Sequence, residues 1–414
     1  MASSATTKPL SLWRNRAFVN LWSAQTISAI GSKVTFLALP LTAVLVLAAT
    51  PAQMGYLTAV GSLPGLLFSL LAGLWVDRQR RRRLLVLADL GRGLLLLSIP
   101  LAVWFGALQI TLLYAILFLI GTLDLLFGAA YHAYLPSLVA RPQLVDANSK
   151  LEISRSAAEI TGPTLGGWLI QLFSAPFALL ADATSFFLSA LCLAAIRQPE
   201  AESTPADKDE PLLRQVGAGL RLLRQDRTLR AITVTTATAT FFNAALEAVY
   251  LLYMTRQLGL SAGVIGIIFG AGSVGFLVGS LLPNRLAGRF GLGPMLIAGL
   301  ALFSLSDFVL PLATGPQALV VALLIGAQIC FGLGLTLYNV GQVSLRQSVT
   351  PDHLLGRMNA TLNFAVAGLL PLGALLGGWA GEWLGLRPTL LLAASGELLA
   401  ILWLLFSPVR SLRS

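Results

Sequence analysis

The feature that most constrains this chain is a succession of apolar runs, each about twenty residues or longer, that recurs from end to end of its 414 residues. Helices rise 1.5 Å per residue, so about 20 apolar residues cross the roughly 30 Å hydrocarbon core of a bilayer. With no water available to a bare backbone, only helices and closed barrels span that core, and barrel strands are shorter and alternate in polarity. The expected fold is therefore all-α, with twelve transmembrane helices near 18–48, 53–76, 84–105, 109–132, 151–173, 177–196, 229–255, 262–287, 292–313, 317–340, 358–381 and 388–408. Composition agrees: 56% of residues are hydrophobic, 11% are charged, and the mean hydropathy is +0.79, outside the range of soluble domains.

A formal charge of +10 would suit a nucleic-acid partner only if the charges shared one surface. They do not. Of 28 lysines and arginines, 23 fall in the two tails or at the loops after segments 2, 4, 6, 8 and 10; only Arg256 and Arg387 fall in the opposite loops, and Lys33, Arg92 and Arg155 lie within segments. That asymmetry is a positive-inside signal, so both termini are expected in the cytoplasm, the protein in the inner membrane, and nucleic acid is not an expected partner. The first 17 residues carry Lys8, Arg14 and Arg16 but no small-residue cleavage site follows, so no removable signal peptide is expected. Cys192 and Cys330 are far apart in apolar segments and read as packing residues rather than a disulfide or metal site.

The longest polar stretch divides the chain into an N-terminal six-helix half, 1–196, a cytoplasmic linker, 197–228, and a C-terminal half, 229–414. The linker opens with a Pro- and acid-rich run. Leu213, Val216, Leu220 and Leu223 then recur at helical spacing among Arg214, Arg221 and Arg224, which suits either a helix on an anionic leaflet or a solvated connector. The halves repeat: a shift of 211 residues superposes Asn148 on Asn359, Gly162 on Gly373, Gly166-Gly167-Trp168 on Gly377-Gly378-Trp379, Gly61 on Gly272 and Arg78 on Arg289. Internal duplication of this kind is the architecture of alternating-access carriers.

Ionisable groups at mid-membrane are costly unless they face a cavity or a partner. On the seventh segment Thr236, Thr240, Asn243, Glu247 and Tyr250 make a polar stripe with one carboxylate. Such a carboxylate exchanges protons or binds a cationic substrate; an interhelical hydrogen bond is the other reading. The first segment offers Gln25, Ser28, Ser32 and Thr35, flanked by Lys33. Lys33 is placed to pair with Glu247 across the halves, or with Asp124 or Glu159. Asp89 with Arg92 reads as a structural i, i+3 pair, Asp124, Asp182, Asp307 and Glu397 as secondary candidates, and His132 as a local hydrogen-bonding residue. On the fifth segment Glu152, Arg155 and Glu159 share a face near the end that carries the termini, as a breakable lock or a static ion pair.

The loop after the second segment reads Gly73-Leu-Trp-Val-Asp77-Arg78-Gln-Arg80-Arg81-Arg82-Arg83. It resembles the Gly-x-x-x-Asp-Arg-x-Gly-Arg-Arg signature of the major facilitator superfamily, with Arg80 in place of the second glycine. Tyr134-Leu-Pro-Ser-Leu-Val139, the stretch Leu144 to Arg155, and Gly162-Pro163-Thr-Leu-Gly166-Gly167 resemble the branch of macrolide and siderophore exporters. The resemblance implies a major facilitator fold of two pseudo-symmetric halves, a cytoplasmic gate formed by Gly73, Asp77, Arg78, Arg81 and Arg82 with Glu152, Arg155 and Glu159, and a fifth helix whose Gly162, Pro163, Gly166 and Gly167 pack closely against the eighth.

A secondary carrier unites the duplication, the gate-like loop and the buried charges. There is no Gly-x-x-x-x-Gly-Lys-[Ser/Thr] phosphate loop, so no cofactor and no direct use of ATP are expected. The expected function is proton-coupled efflux of amphipathic drugs or small metabolites by a monomer, with uniport, import or lipid flipping as alternatives of the same fold. With two histidines and no Cys/His cluster, an integral-membrane enzyme has little support.

Overall fold

The structure is a computed structural model that describes residues 12–76, 79–198, 223–351 and 354–412. Among the described residues the chain is helical, with no strand. In chain order the long helices are α1 (Arg16–Leu45), α2 (Pro51–Val76), α3 (Arg81–Trp104), α4 (Ile110–Leu138), α5 (Leu144–Phe173), α6 (Ala175–Ala194), α7 (Arg227–Leu252), α8 (Ala262–Leu281), α9 (Leu292–Leu312), α10 (Gln317–Val349), α11 (Leu355–Trp383) and α12 (Leu386–Leu405). α9 and α12 each contain one short break, at Phe308 and Ala400. Nine helices among the described residues are long and apolar enough to cross a membrane. α5 and α7 match them in length, but the charges of one and the Thr/Asn/Glu stripe of the other lower their apolarity.

Helix starts follow local chemistry. Asn15 accepts from the amides of Ala17 and Phe18 at the start of α1, and Asp226 accepts from Leu229 at the start of α7; each satisfies amides that a first turn leaves bare. Several helices outrun their apolar segments. α4 ends at Leu138 rather than 132, α5 begins at Leu144 rather than 151, and α10 runs to Val349 rather than 340. Hydropathy registers the stretch inside hydrocarbon, whereas a helix continues into the polar zone as long as its own bonds and pairs such as Lys150–Asp146 support it.

α1 to α6 pack among themselves, as do α7 to α12, so the molecule is two bundles. Two seams join them: α2 against α11, and α5 against α8. Both are made by glycine. A Cβ on Gly167 would lie 2.8 Å from Gly266 Cα, and a Cβ on Gly55 would lie 2.8 Å from Gly378 Cα, so these backbones are in direct contact and any side chain would force them apart. The seams are copies: adding 211 turns Gly55 into Gly266 and Gly167 into Gly378. Contacts inside the bundles obey the same offset, with Gly166 set on Val34 and Gly377 on Ala245.

The seams lie toward the end away from the termini, and further links gather there. Arg256 donates to the Ala49 carbonyl (2.7 Å), Glu382 accepts from the Ala52 amide at the start of α2 (3.2 Å), Trp379 donates to the Tyr56 hydroxyl (3.2 Å), and Gln171 accepts from the Gly263 amide (3.1 Å). These hydrogen bonds between the bundles run from mid-depth to this end, as Ser273 donating to the Glu159 carbonyl (2.6 Å) also shows. One end is sealed. Asp77 and Arg78, and all of the interfacial stretch except Leu223 and Arg224, lie outside the described residues; Leu223 packs with Leu229 and Met358.

Candidate functional site

Below the seal a cavity of about 320 Å³ lies between the bundles. Three residues of α7, Asn243, Glu247 and Tyr250, recur at i, i+4 and i+7 and so share one face, which lines it. α1 contributes Lys33 and Phe36, and α5 contributes Glu159. Phe269 and Phe276 come from α8, Asp307 from α9, and Gln328 and Phe331 from α10. Part of the wall is aromatic: Phe36 meets Phe269 edge to face across the two bundles, 5.9 Å between centroids, and Tyr250 lies 5.8 Å from Phe269.

Glu247 lies in the middle of the bundle yet keeps an exposed surface, because it faces this void. Among the described residues it makes no hydrogen bond and no ion pair. The other members of the stripe separate. The Thr236 hydroxyl shares a 2.8 Å hydrogen bond with Tyr338 of α10, Thr240 is half-buried outside the cavity lining, and Tyr250 accepts from Gln328 at 2.9 Å. A stripe that runs from Thr236 to Tyr250 passes through several environments, so only its middle and one end reach the void.

Lys33 also lines the cavity, but its ammonium lies 2.9 Å from Glu159 Oε1 on α5. Of the three partners the spacing allowed, the structure selects Glu159, because Gly162 one turn further along α5 leaves the space that the Lys33 side chain fills. Glu159 is thereby separated from Arg155. Glu152 and Arg155 form a loose pair, 3.8 Å apart, with both side chains about two-thirds exposed (66% and 67%). They line a second cavity toward the termini, together with Gln25, His132 and Asn148. Ser32 is half-buried and lines neither cavity.

Asp124 is placed away from the central cavity. It binds Arg92 of α3, which also binds Asp89, while the Arg92 guanidinium stacks 4.3 Å from both the Phe127 and Phe186 rings. Ser189 donates to Asp89 at 2.6 Å. Asp182 of α6 accepts from Thr35 at 2.5 Å and from Ser185 at 2.8 Å.

Of the gate residues, Gly73 continues the helical backbone of α2. Arg81 donates to the Ala133 carbonyl (3.0 Å), and Arg82 donates to the Leu193 and Ala194 carbonyls that end α6. Guanidinium groups suit helix C-termini, where carbonyls lack partners; these contacts stay within the N-terminal bundle. Arg80 adopts φ −68°, open to any residue, so the turn does not require the signature's second glycine. On α5 the glycines divide: Gly162 and Gly166 admit α1, whereas Pro163 and Gly167 abut Gly266 of α8. The expectation that all four face the eighth helix holds for only part of the motif, since successive turns of one helix reach two neighbours.

Sequence reasoning missed the aromatic wall and Gln328, because one Phe among 20 carries no mark of facing a void. It also missed Arg256 and Glu382 as links across the seal. A signal did exist: Arg256 and Arg387 were the two basic residues on the unexpected side, and both donate to backbone carbonyls, Arg387 to Pro311 at 2.7 Å.

Two glycine-sealed bundles around a central cavity with ionisable walls define a membrane carrier. The chain belongs to the transmembrane secretion effector family of major facilitator transporters, whose model matches residues 7–414. It is 29% identical over 394 residues to the multidrug efflux pump Tap of Mycobacterium tuberculosis, covering 92% of this chain and 90% of that one. Among solved structures it resembles the nucleoside transporter NupG, with TM-score 0.75 at 11% identity over 94% of this chain and 98% of the other. A bacterial homologue of the iron transporter ferroportin matches with TM-score 0.72 in its inward-facing state and 0.57 in its outward-facing state, at 19% identity over 94% of this chain and 98% of the other in each.

Proposed function

We propose that this transporter exports amphipathic cations, drugs or small metabolites, by proton antiport and alternating access, working as a monomer in the inner membrane. The observation that carries this reading is Glu247: a carboxylate with no partner among the described residues, facing a void that five aromatic side chains help to line. Aromatic faces and a negative charge lining one cavity together select a cation with an apolar body. Lys33 is already neutralised by Glu159 and does not cancel that charge. The basic end is then cytoplasmic by the positive-inside rule, and the cavity is closed toward the outside. Export by the multidrug efflux pump Tap supports the direction.

The test is proton flux in proteoliposomes holding a pH gradient, with amphipathic cations, macrolides and siderophores added in turn. The expected result is proton movement triggered by an amphipathic cation and lost in Glu247→Gln. Flux unchanged by the substitution would remove Glu247 from the site, and no flux with any compound would favour uniport or lipid transport.

A further inference from the structure

Behind the central cavity, α9 and α12 of the C-terminal bundle bring two carboxyls side by side. Asp307 lies against Glu397, and the Asn243 amide of α7 adjoins them. Glu397 is 0% exposed and Asp307 is 5% exposed. Among the described residues no hydrogen bond of ordinary length and angle reaches either oxygen of Glu397 or Asp307 Oδ2, and the polar neighbours near enough to interact with Glu397 are the uncharged Asn243 amide and Asp307 itself. An ionised carboxyl is an acceptor only, so two adjacent carboxylates offer four oxygens and no donor. Leaving both charged in a low-dielectric interior is prohibitive without a cation.

The neighbouring elements do not supply one. From α7 come Asn243 and Tyr250, the latter already accepting from Gln328 of α10. Arg387 at the start of α12 is committed to the Pro311 carbonyl. Across the cavity, Lys33 is held by Glu159, and Glu247 brings only further negative charge. Among the described residues no lysine, arginine or histidine pairs with Asp307 or Glu397.

From this arrangement we infer that Asp307 and Glu397 form a proton-binding site, in which one proton is shared between the two carboxyls and reaches the central cavity through Asp307. Asp307 is the member that lines the cavity, so it is the entry, and Glu397 is the enclosed store. A proton supplies the single missing donor and removes one charge; two like carboxyls at contact share a proton in this way. A metal ion fits less well, since no group of three His, Cys, Asp or Glu among the described residues could hold one. The inference deepens the proposed antiport: Glu247 takes the substrate cation and the pair behind it holds the exchanged proton.

Two measurements on the full chain separate this inference from the proposed function. Infrared difference spectroscopy between acid and alkaline buffer reads carboxyl protonation in detergent with no substrate. The expected result is a protonated-carboxyl band in wild type and in Glu247→Gln, lost in Asp307→Asn and in Glu397→Gln. A band unaltered in both of the latter variants overturns the site. Ethidium movement into proteoliposomes, read with and without a pH gradient, is the second measurement. In Asp307→Asn the acceleration by the gradient is expected to be lost while downhill ethidium exchange survives; retained acceleration overturns the inference. If wild type moves no ethidium, the export reading fails alone, and the infrared result still decides the pair. Thermal unfolding of each variant identifies one that has not folded, in which case the other single variant is decisive.

Discussion

The two bundles share a backbone plan and treat buried charge in opposite ways. In the N-terminal bundle every buried acid has partners: Asp89 has Arg92 and Ser189, and Asp182 has Thr35 and Ser185. In the C-terminal bundle Asp307 and Glu397 have one another, the Asn243 amide and, among the described residues, no basic partner. The 211-residue offset shows how the difference arose. Asp307 and Glu397 stand where the N-terminal bundle has Leu96 and Phe186, and Asp89 and Arg92 stand where the C-terminal bundle has Leu300 and Phe303. One copy uses an ion-paired cluster to hold three helices together; the other sets two acids side by side near a cavity with no basic partner among the described residues. Duplication supplies a scaffold, and the two copies have since diverged in the groups they bury.

Substitution tests this contrast most severely at Arg92. Arg92→Leu leaves Asp89 buried without a counter-charge, and removing one partner from a buried pair costs about 3–5 kcal/mol. Thermal unfolding of the purified protein should show that loss, whereas Glu397→Leu, which removes an unsatisfied acid, should leave stability unchanged or raised. Equal damage at the two sites would break the contrast. A smaller effect is expected at the seams. Gly167→Val and Gly55→Val both force backbones apart, at about 1–3 kcal/mol, and because the seams are copies the two losses should match. A cysteine at Thr58, which lines the cavity, should then label faster with a bulky maleimide added from the sealed side. A loss at only one seam would show that the halves do not share the closing load. The smallest effect belongs to Glu152→Gln: its pair with Arg155 is long and exposed, so stability should change by less than about 0.5 kcal/mol.

The fold was largely legible in the sequence, since apolar length and a constant offset each report a property that acts along the chain. The duplicated Gly-Gly-Trp was visible at both places before either seam was known. The site was legible only in part. Asn243, Glu247 and Tyr250 share a face that helical spacing reveals, but which acid Lys33 would take depended on the approach of α1 to α5. Likewise Asp124 looked like a cavity residue until α3 brought Arg92 to it. Spacing within a helix fixes which residues share a face, while the neighbour that face meets is decided by packing between helices far apart in sequence. For Asp307 and Glu397, 90 residues apart, nothing local announces the encounter.

Because the closest contacts of the seams are bare backbone, the glycines that make them and the side chains that line the cavity are different sets. Gly55, Gly167, Gly266 and Gly378 contribute no side chain to recognition, and Phe36, Phe276 and Phe331 contribute nothing to those contacts. Such a transporter is free to drift in what it recognises without relearning how to shut: the lining can be rewritten one aromatic residue at a time over generations while the glycine contacts of the doors, having no side chains to mismatch, keep fitting.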